Sequence, residues 1–317
     1  MEPSASVLTP GSAPPTPWLS VEPPEPFSDE PPLPELAPPD WPPEAEPESE
    51  PLALGALLLG SFFDLPLSRA VYRERAPLGV ILEAVCFLPL YAPLALAALA
   101  GAAQAGRKSV RALLLLLGCA VLFGMTYSVF HYLGKRGIHS AAAVQIAACL
   151  LCALGGALPA FFALRRATAD TRQALLRLSL FGILYLVWEL ALVQSLKAIA
   201  GRPRFEDLLA GRGAFAPWYA FSRQGGSSFP SGHTAAACGV WLLLLLPEFF
   251  PRLQKRRSAR GIASTLYVCL AGFSRIVVGK HFLSDVAAGM LLMLLGFALL
   301  CLVAQRLLPQ KGSTKTA

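Results

Sequence analysis

Residues 274–285 concentrate Arg275, His281 and Asp285 in a chain otherwise built of apolar runs. His281 and Asp285 are four apart, a spacing that places both on one face if the segment is helical. A carboxylate beside an imidazole fixes its tautomer and raises its basicity, which equips a histidine to act as nucleophile or base. A structural ion pair at a helix start is the plainer reading of the same residues. Ionisable groups at the edge of an apolar segment are costly to keep, so function is the first reading to test.

Two upstream clusters share this character. Lys197 ends an apolar run and is followed by Gly201, Arg202, Pro203 and Arg204. Gly and Pro break a helix there, leaving a lysine and one or two arginines where chain meets water. Arg offers a planar fork to phosphate oxygens and Lys a point charge; ordinary snorkelling at a helix end is the competing reading. The second cluster, Phe229 to Thr234, precedes another apolar run. Ser231 or Gly232 can cap that helix, whose free amides suit an anion, and His233 falls in its first turn. A plain N-cap followed by a satisfied histidine reads equally well. No carboxylate pair and no His/Cys set with metal-ligand spacing accompanies the clusters. No metal and no cofactor is expected, and the chemistry that fits is phosphoryl transfer through a histidine.

The elements that must position these residues are apolar helices. The chain of 317 residues is 55% hydrophobic and 15% charged, an integral-membrane composition. Apolar runs recur at 79–103, 110–132, 142–164, 174–197, 233–250, 261–278 and 285–308. A shorter run, 52–67, reads as a span, a re-entrant piece or an interfacial helix. The expected fold is all-α, a polytopic transmembrane bundle. Residues 1–50 hold sixteen prolines and eleven acidic residues, with no Lys or Arg. They read as a disordered, solvated tail without the basic start and apolar core of a signal peptide. The expected division is a tail at 1–50, a short apolar segment and loop at 51–78, a transmembrane domain at 79–308 and a cytoplasmic tail at 309–317.

The remainder of the chain carries all 27 basic residues and nine acidic ones. Such a balance suits anionic headgroups and phosphate esters. No basic stripe with aromatic platforms points to nucleic acid. The seven cysteines all lie in apolar runs; even Cys149 and Cys152, in C-x-x-C spacing, lack partner ligands. Arg107, Lys108 and Arg111, then Arg165, Arg166 and Arg172, then Arg252 to Arg260 mark alternate loops as cytoplasmic, with the C-terminus. The segments 198–232 and 275–284, which carry the unusual polar residues, are then expected to face outward. The aromatic-rich loop 205–229 reads as an interfacial cover over the site or as an aromatic belt.

The order Lys-x6-Arg, Pro-Ser-Gly-His, Ser-Arg-x5-His-x3-Asp resembles the type-2 phosphatidic acid phosphatase superfamily, which includes glucose-6-phosphatase and the vanadium haloperoxidases. The resemblance runs from Lys197 to Asp285 and implies a six-helix phosphatase core. It implies His281 as the nucleophile forming a phosphohistidine, Asp285 as its orienting partner and His233 as general acid. Lys197, Arg204, Ser231, Gly232 and Arg275 would hold the phosphoryl oxygens. The first signature departs from the family, which has Arg-Pro where this chain has Arg204-Phe205. Arg204 keeps the family spacing, and Arg202, followed by Pro203, is its rival.

The implied activity is hydrolysis of a lipid phosphate or pyrophosphate, of the phosphatidic acid, phosphatidylglycerol phosphate, undecaprenyl pyrophosphate or lipid A type, in a bacterial inner membrane. Partners are then the lipid substrate and membrane lipids, with no protein partner indicated. A phosphotransferase using the same site and an inactive lipid-binding protein are the alternatives. A transporter would bring internal repeats or mid-bilayer charge, and the charges here lie at helix ends.

Overall fold

The computed structural model describes residues 50–307. The tails expected at 1–50 and 309–317 lie outside the described residues, except for Glu50. Among the described residues there is no strand. The helices are α1 (Glu50–Val71), α2 (Pro77–Val85), α3 (Leu88–Gln104), α4 (Lys108–Gly134), α5 (Ala142–Arg166), α6 (Ala169–Trp188), α7 (Gln194–Ala200), α8 (Phe205–Leu209), α9 (Gly232–Ala237), α10 (Leu246–Phe249), α11 (Arg257–Val277) and α12 (Leu283–Leu307). A π-helical segment, Glu189–Val193, joins α6 to α7, and 3-10 segments join α9 to α10 and α10 to α11.

Local sequence sets the boundaries. Pro77 opens α2, where its missing N–H costs nothing. Pro89, in the first turn after the N-cap Phe87, helps to separate α2 from α3, although the two form one apolar stretch. Thr168 caps α6 by accepting from the Thr171 amide at 3.2 Å.

Among the described residues seven helices or helix runs are long and apolar enough to cross a membrane. The run at 52–67 extends to a full 22-residue helix and is one of them. The run at 261–278 forms α11, 21 residues long, but is not among the seven. Arg257, Arg260, Ser264, Ser274 and Arg275 lower its mean hydropathy; Ser264, Ser274 and Arg275 among them are buried.

The main core lies between α3, α6, the α9–α10 run, α11 and α12, around Trp241, Tyr185, Phe297 and Met293. Two hydrogen bonds, one buried and one partly buried, fix α6 on α12: Tyr185 donates to the Met293 carbonyl at 2.8 Å and Trp188 to the Leu292 carbonyl at 2.9 Å. A smaller cluster of Leu99, Ala100, Ala157 and Leu164 joins α3 to α5. α1 packs along α12. Leucines at 113, 116, 117, 150, 151 and 154 are exposed on α4 and α5, as suits faces turned to lipid.

Candidate active site

Lys197 stands near the end of α7. That helix stops at Gly201, whose φ of +57° an L-residue rarely adopts; a Cβ there would also come within 2.7 Å of the Arg223 backbone. The loop 223–228 runs back along this break. The Arg223 amide donates to Ala200, Gly226 to Gly201 and Ser228 to Arg202, at 3.2, 3.0 and 2.9 Å. This pairing brings the carbonyls of Ser227 and Pro230 to Lys197 Nζ, at 3.0 and 2.8 Å. An ammonium has three protons, so one remains for a ligand.

Arg204 follows in extended backbone. Its Nη2 donates to Ser227 Oγ at 2.9 Å, and its Nε is buried without a hydrogen-bond partner. Phe205, where the family has proline, begins α8 and is buried edge-on to Tyr72 and Phe282. Phe205 therefore packs on the residue that follows His281.

Arg202 has a different environment. Its Nε donates to the Ala216 carbonyl at 2.8 Å. Nη1 reaches Ser284 Oγ at 2.9 Å and Asp285 Oδ1 at 2.5 Å, and Nη2 reaches Asp64 Oδ2 at 2.8 Å. The guanidinium is buried 4.3 Å from the Phe282 ring centre. Its nitrogens are committed to protein, so of the two rival arginines it is Arg204 that lines the cavity.

At the second cluster Ser231 is the N-cap of α9. Its Oγ accepts from the Thr234 amide at 3.3 Å and the Thr234 hydroxyl at 2.9 Å, and its own amide donates to the Asp285 carbonyl at 2.9 Å. The side chain is buried and occupied by capping. Gly232 and His233 face the cavity. His233 Nε2 is buried without a hydrogen-bond partner, and its ring meets Tyr132 edge-on at 5.3 Å.

The third cluster differs from the shared helix face that its spacing suggests. α12 begins at Leu283, so His281 lies in the turn before it. Asp285 reaches back, accepting from the Phe282 amide at 2.7 Å and from Ser228 Oγ at 2.5 Å through Oδ2. His281 Nδ1 lies 2.6 Å from the Ser228 carbonyl and 3.8 Å from Asp285 Oδ2. A carbonyl only accepts, so Nδ1 carries the proton and Nε2 keeps its lone pair. The tautomer is thus set by Ser228, and Asp285 holds Ser228 in place. Burial pushes the His281 imidazole down to about 4; Lys197 and Arg204 act in the same direction and Asp285 opposes them. The ring is neutral at neutral pH.

Arg275 is fully buried. It donates to the Gly79 carbonyl and to Ser274 Oγ, and Nη1 lies 3.2 Å from Glu83 Oε2. Arg136 holds the same Glu83 oxygen at 2.7 Å through Nε.

These elements enclose a cavity of 530 Å³. Lys197, Arg204, Gly232, His233 and His281 line its polar part; Phe87, Tyr91, Leu94, Val121 and Met125 line its apolar part. The two imidazole centres are 6.3 Å apart. Ser231, Asp285, Arg275 and Arg202 are buried outside the lining. Among the described residues no group of three His, Cys, Asp or Glu could hold a metal. Part of the aromatic-rich loop is tied to α1, where Trp218 stacks on Phe229 and donates to Ser61 Oγ at 3.0 Å.

Sequence reading passed over Asp64, Glu83 and Glu189, three carboxylates within apolar runs, and Ser228, which orients His281. A lone acid in an apolar run is itself a signal, because such a group persists only where something compensates its burial.

Residues 178–308 match the family model described as the PAP2 superfamily. The match contains all three clusters and leaves α1 to α5 outside it. The chain is also similar to a protein named phosphatidylglycerophosphatase B from Bacillus subtilis (strain 168), with 38% identity over 74 residues, 23% of this chain. The matched part covers 36% of that relative, about a third of its length. No solved structure matches the chain.

Proposed function

From the match of residues 178–308 to the PAP2 superfamily, we propose that the chain is an integral-membrane phosphatase acting on a lipid phosphate through a phosphohistidine. The observation that carries this reading is the hydrogen bond from His281 Nδ1 to Ser228, which leaves Nε2 as a free nucleophile in the cavity that holds Lys197, Arg204 and His233.

In the first step His281 Nε2 attacks phosphorus and the bond to the lipid alkoxide breaks. His233 gives the leaving oxygen its proton. In the second step His233 takes a proton from water, whose oxygen attacks phosphorus, and inorganic phosphate leaves as His281 regains its lone pair. Lys197 and Arg204 face the charge that builds on the phosphoryl oxygens, the term that dominates such transfers. Ser231 acts by capping α9, which presents Gly232 and His233. Asp285 acts through Ser228, and Arg202 and Asp64 through Asp285. The apolar part of the cavity takes the beginning of the lipid chain.

The site lies at one end of the bundle. The loops at 105–107, 167–168 and 250–256 are at the other end if the helices cross in alternation, α11 included. At 1.5 Å per residue α11 is about 31 Å long, enough for a bilayer core. The basic loops then face the cytoplasm, the site faces outward, and α1 begins and α12 ends on the cytoplasmic side.

The test is phosphate release from phosphatidic acid and phosphatidylglycerol phosphate by the purified protein in detergent. We expect His281→Ala to lose at least about a thousand-fold of the rate, by analogy with loss of a covalent nucleophile, and EDTA to leave the wild-type rate unchanged. Full activity in the variant overturns the role of His281, and loss with EDTA overturns the metal-free reaction.

A further inference from the structure

Glu189 lies in the π-helical segment between α6 and α7, a local widening that often marks a functional position. It lines the cavity and is 3% exposed. Its Oε1 accepts from Gln194 Nε2 at 2.7 Å. Its Oε2 has no protein hydrogen-bond partner among the described residues. The other buried acids are compensated by arginine in contact: Asp64 and Asp285 by Arg202, and Glu83 by Arg136 and Arg275. Glu189 has no such ion pair among the described residues.

Its position relates this carboxylate to the phosphate end. Gln194 Nε2 lies 3.5 Å from where a Gly232 Cβ would be, and Lys197 Nζ 3.8 Å from the same point. Through Gln194, Glu189 therefore borders the same part of the cavity as Lys197 and Gly232. Placing a carboxylate beside an anion site works against anion binding unless the ligand brings a donor for it.

We propose that Glu189, oriented by Gln194, is a donor-binding subsite that selects phosphomonoesters bearing a hydroxyl on the carbon next to the phosphate-bearing carbon. The inference rests on the phosphatase reading above and adds to it the substrate class. A hydroxyl satisfies Glu189 Oε2 while the phosphate meets Lys197 and Arg204. The second phosphate of a diphosphate would meet the carboxylate and be repelled.

The test compares two substrates that differ in one oxygen: 1-oleoyl-glycerol 3-phosphate and its 2-deoxy analogue, hydrolysed by the full chain in detergent. A charge-assisted hydrogen bond to a buried carboxylate gives the hydroxyl substrate an advantage of about ten- to a hundred-fold in kcat/KM. Glu189→Ala brings the ratio close to one. Glu189→Gln keeps the shape and the bond from Gln194 and gives an intermediate ratio, which decides the matter if the alanine variant does not fold. A wild-type ratio near one, or an unchanged ratio in Glu189→Gln, overturns the subsite and leaves the phosphatase reading standing. Hydrolysis of neither substrate by the wild type overturns both.

Discussion

Asp64→Ala probes how far the site depends on a helix outside the family-matched segment. Asp64 sits in α1, is 2% exposed, and accepts from Arg202 Nη2 at 2.8 Å and from the Ser284 amide at 2.9 Å. Removing it leaves the buried Arg202 with Asp285 as its sole ion-pair partner and strips the Ser284 amide of its acceptor. Removing one partner of a buried pair costs about 3–5 kcal/mol, because the remaining charge stays desolvated. Asp64→Asn can keep an acceptor for Ser284 and should lose roughly half as much, since hydrogen bonds to an ionised group are about twice as strong. The assay is denaturant unfolding in detergent micelles, with Ser284→Ala added to close a double-mutant cycle. Phosphate release should fall as well, because Arg202 also holds Asp285. An Asp64→Ala protein within about 0.5 kcal/mol of wild type, the ordinary range for surface substitutions, would refute the proposed buried network.

Three further outcomes are expected. The folded pKa of His281, about 4, lies below the ordinary histidine value of 6.5, so the unfolded chain binds more protons between those limits. Stability should fall by about 3 kcal/mol as pH drops from 6.5 to 4, and His281→Ala should flatten that slope in unfolding measured across the window. Lys197→Met should lower kcat by about 10²–10³-fold, as loss of a preorganised charge-stabilising donor does; a change confined to KM would place Lys197 in ground-state binding alone. Gly226→Ala should cost about 1–3 kcal/mol by overpacking, because its Cβ would press on the Arg202 carbonyl and separate the loop from the segment 200–202 it pairs with; thermal unfolding in detergent checks it.

The helical architecture could be read from the apolar runs, since a membrane span needs a long, nearly uncharged stretch and this chain repeats one. The helix breaks that carry the polar clusters were also readable, because Gly201 and the Ser231 cap are local signals. What spacing could not supply was partnership between distant residues. Arg202 and Arg204 look alike in sequence, yet Asp64, far away in α1, helps to commit Arg202 to the interior. The interval between His281 and Asp285 suggested a shared helix face, but a helix start falls between them and Asp285 folds back onto the turn. The tautomer of His281 depends on the Ser228 carbonyl, a backbone group invisible to any reading of side-chain types. Glu189 and Glu83 escaped notice because a lone acid in an apolar run reveals its role only when its neighbours are known.

The most direct test of the account is the covalent intermediate. The full chain, mixed with a lipid phosphate labelled with ³²P in its phosphomonoester group and quenched in base within the first turnover, should carry a base-stable, acid-labile label on His281, located by peptide mass spectrometry. His281→Ala should carry none. An unlabelled wild-type protein that still releases phosphate, or a label on any other residue, would contradict the assignment of His281 as the nucleophile.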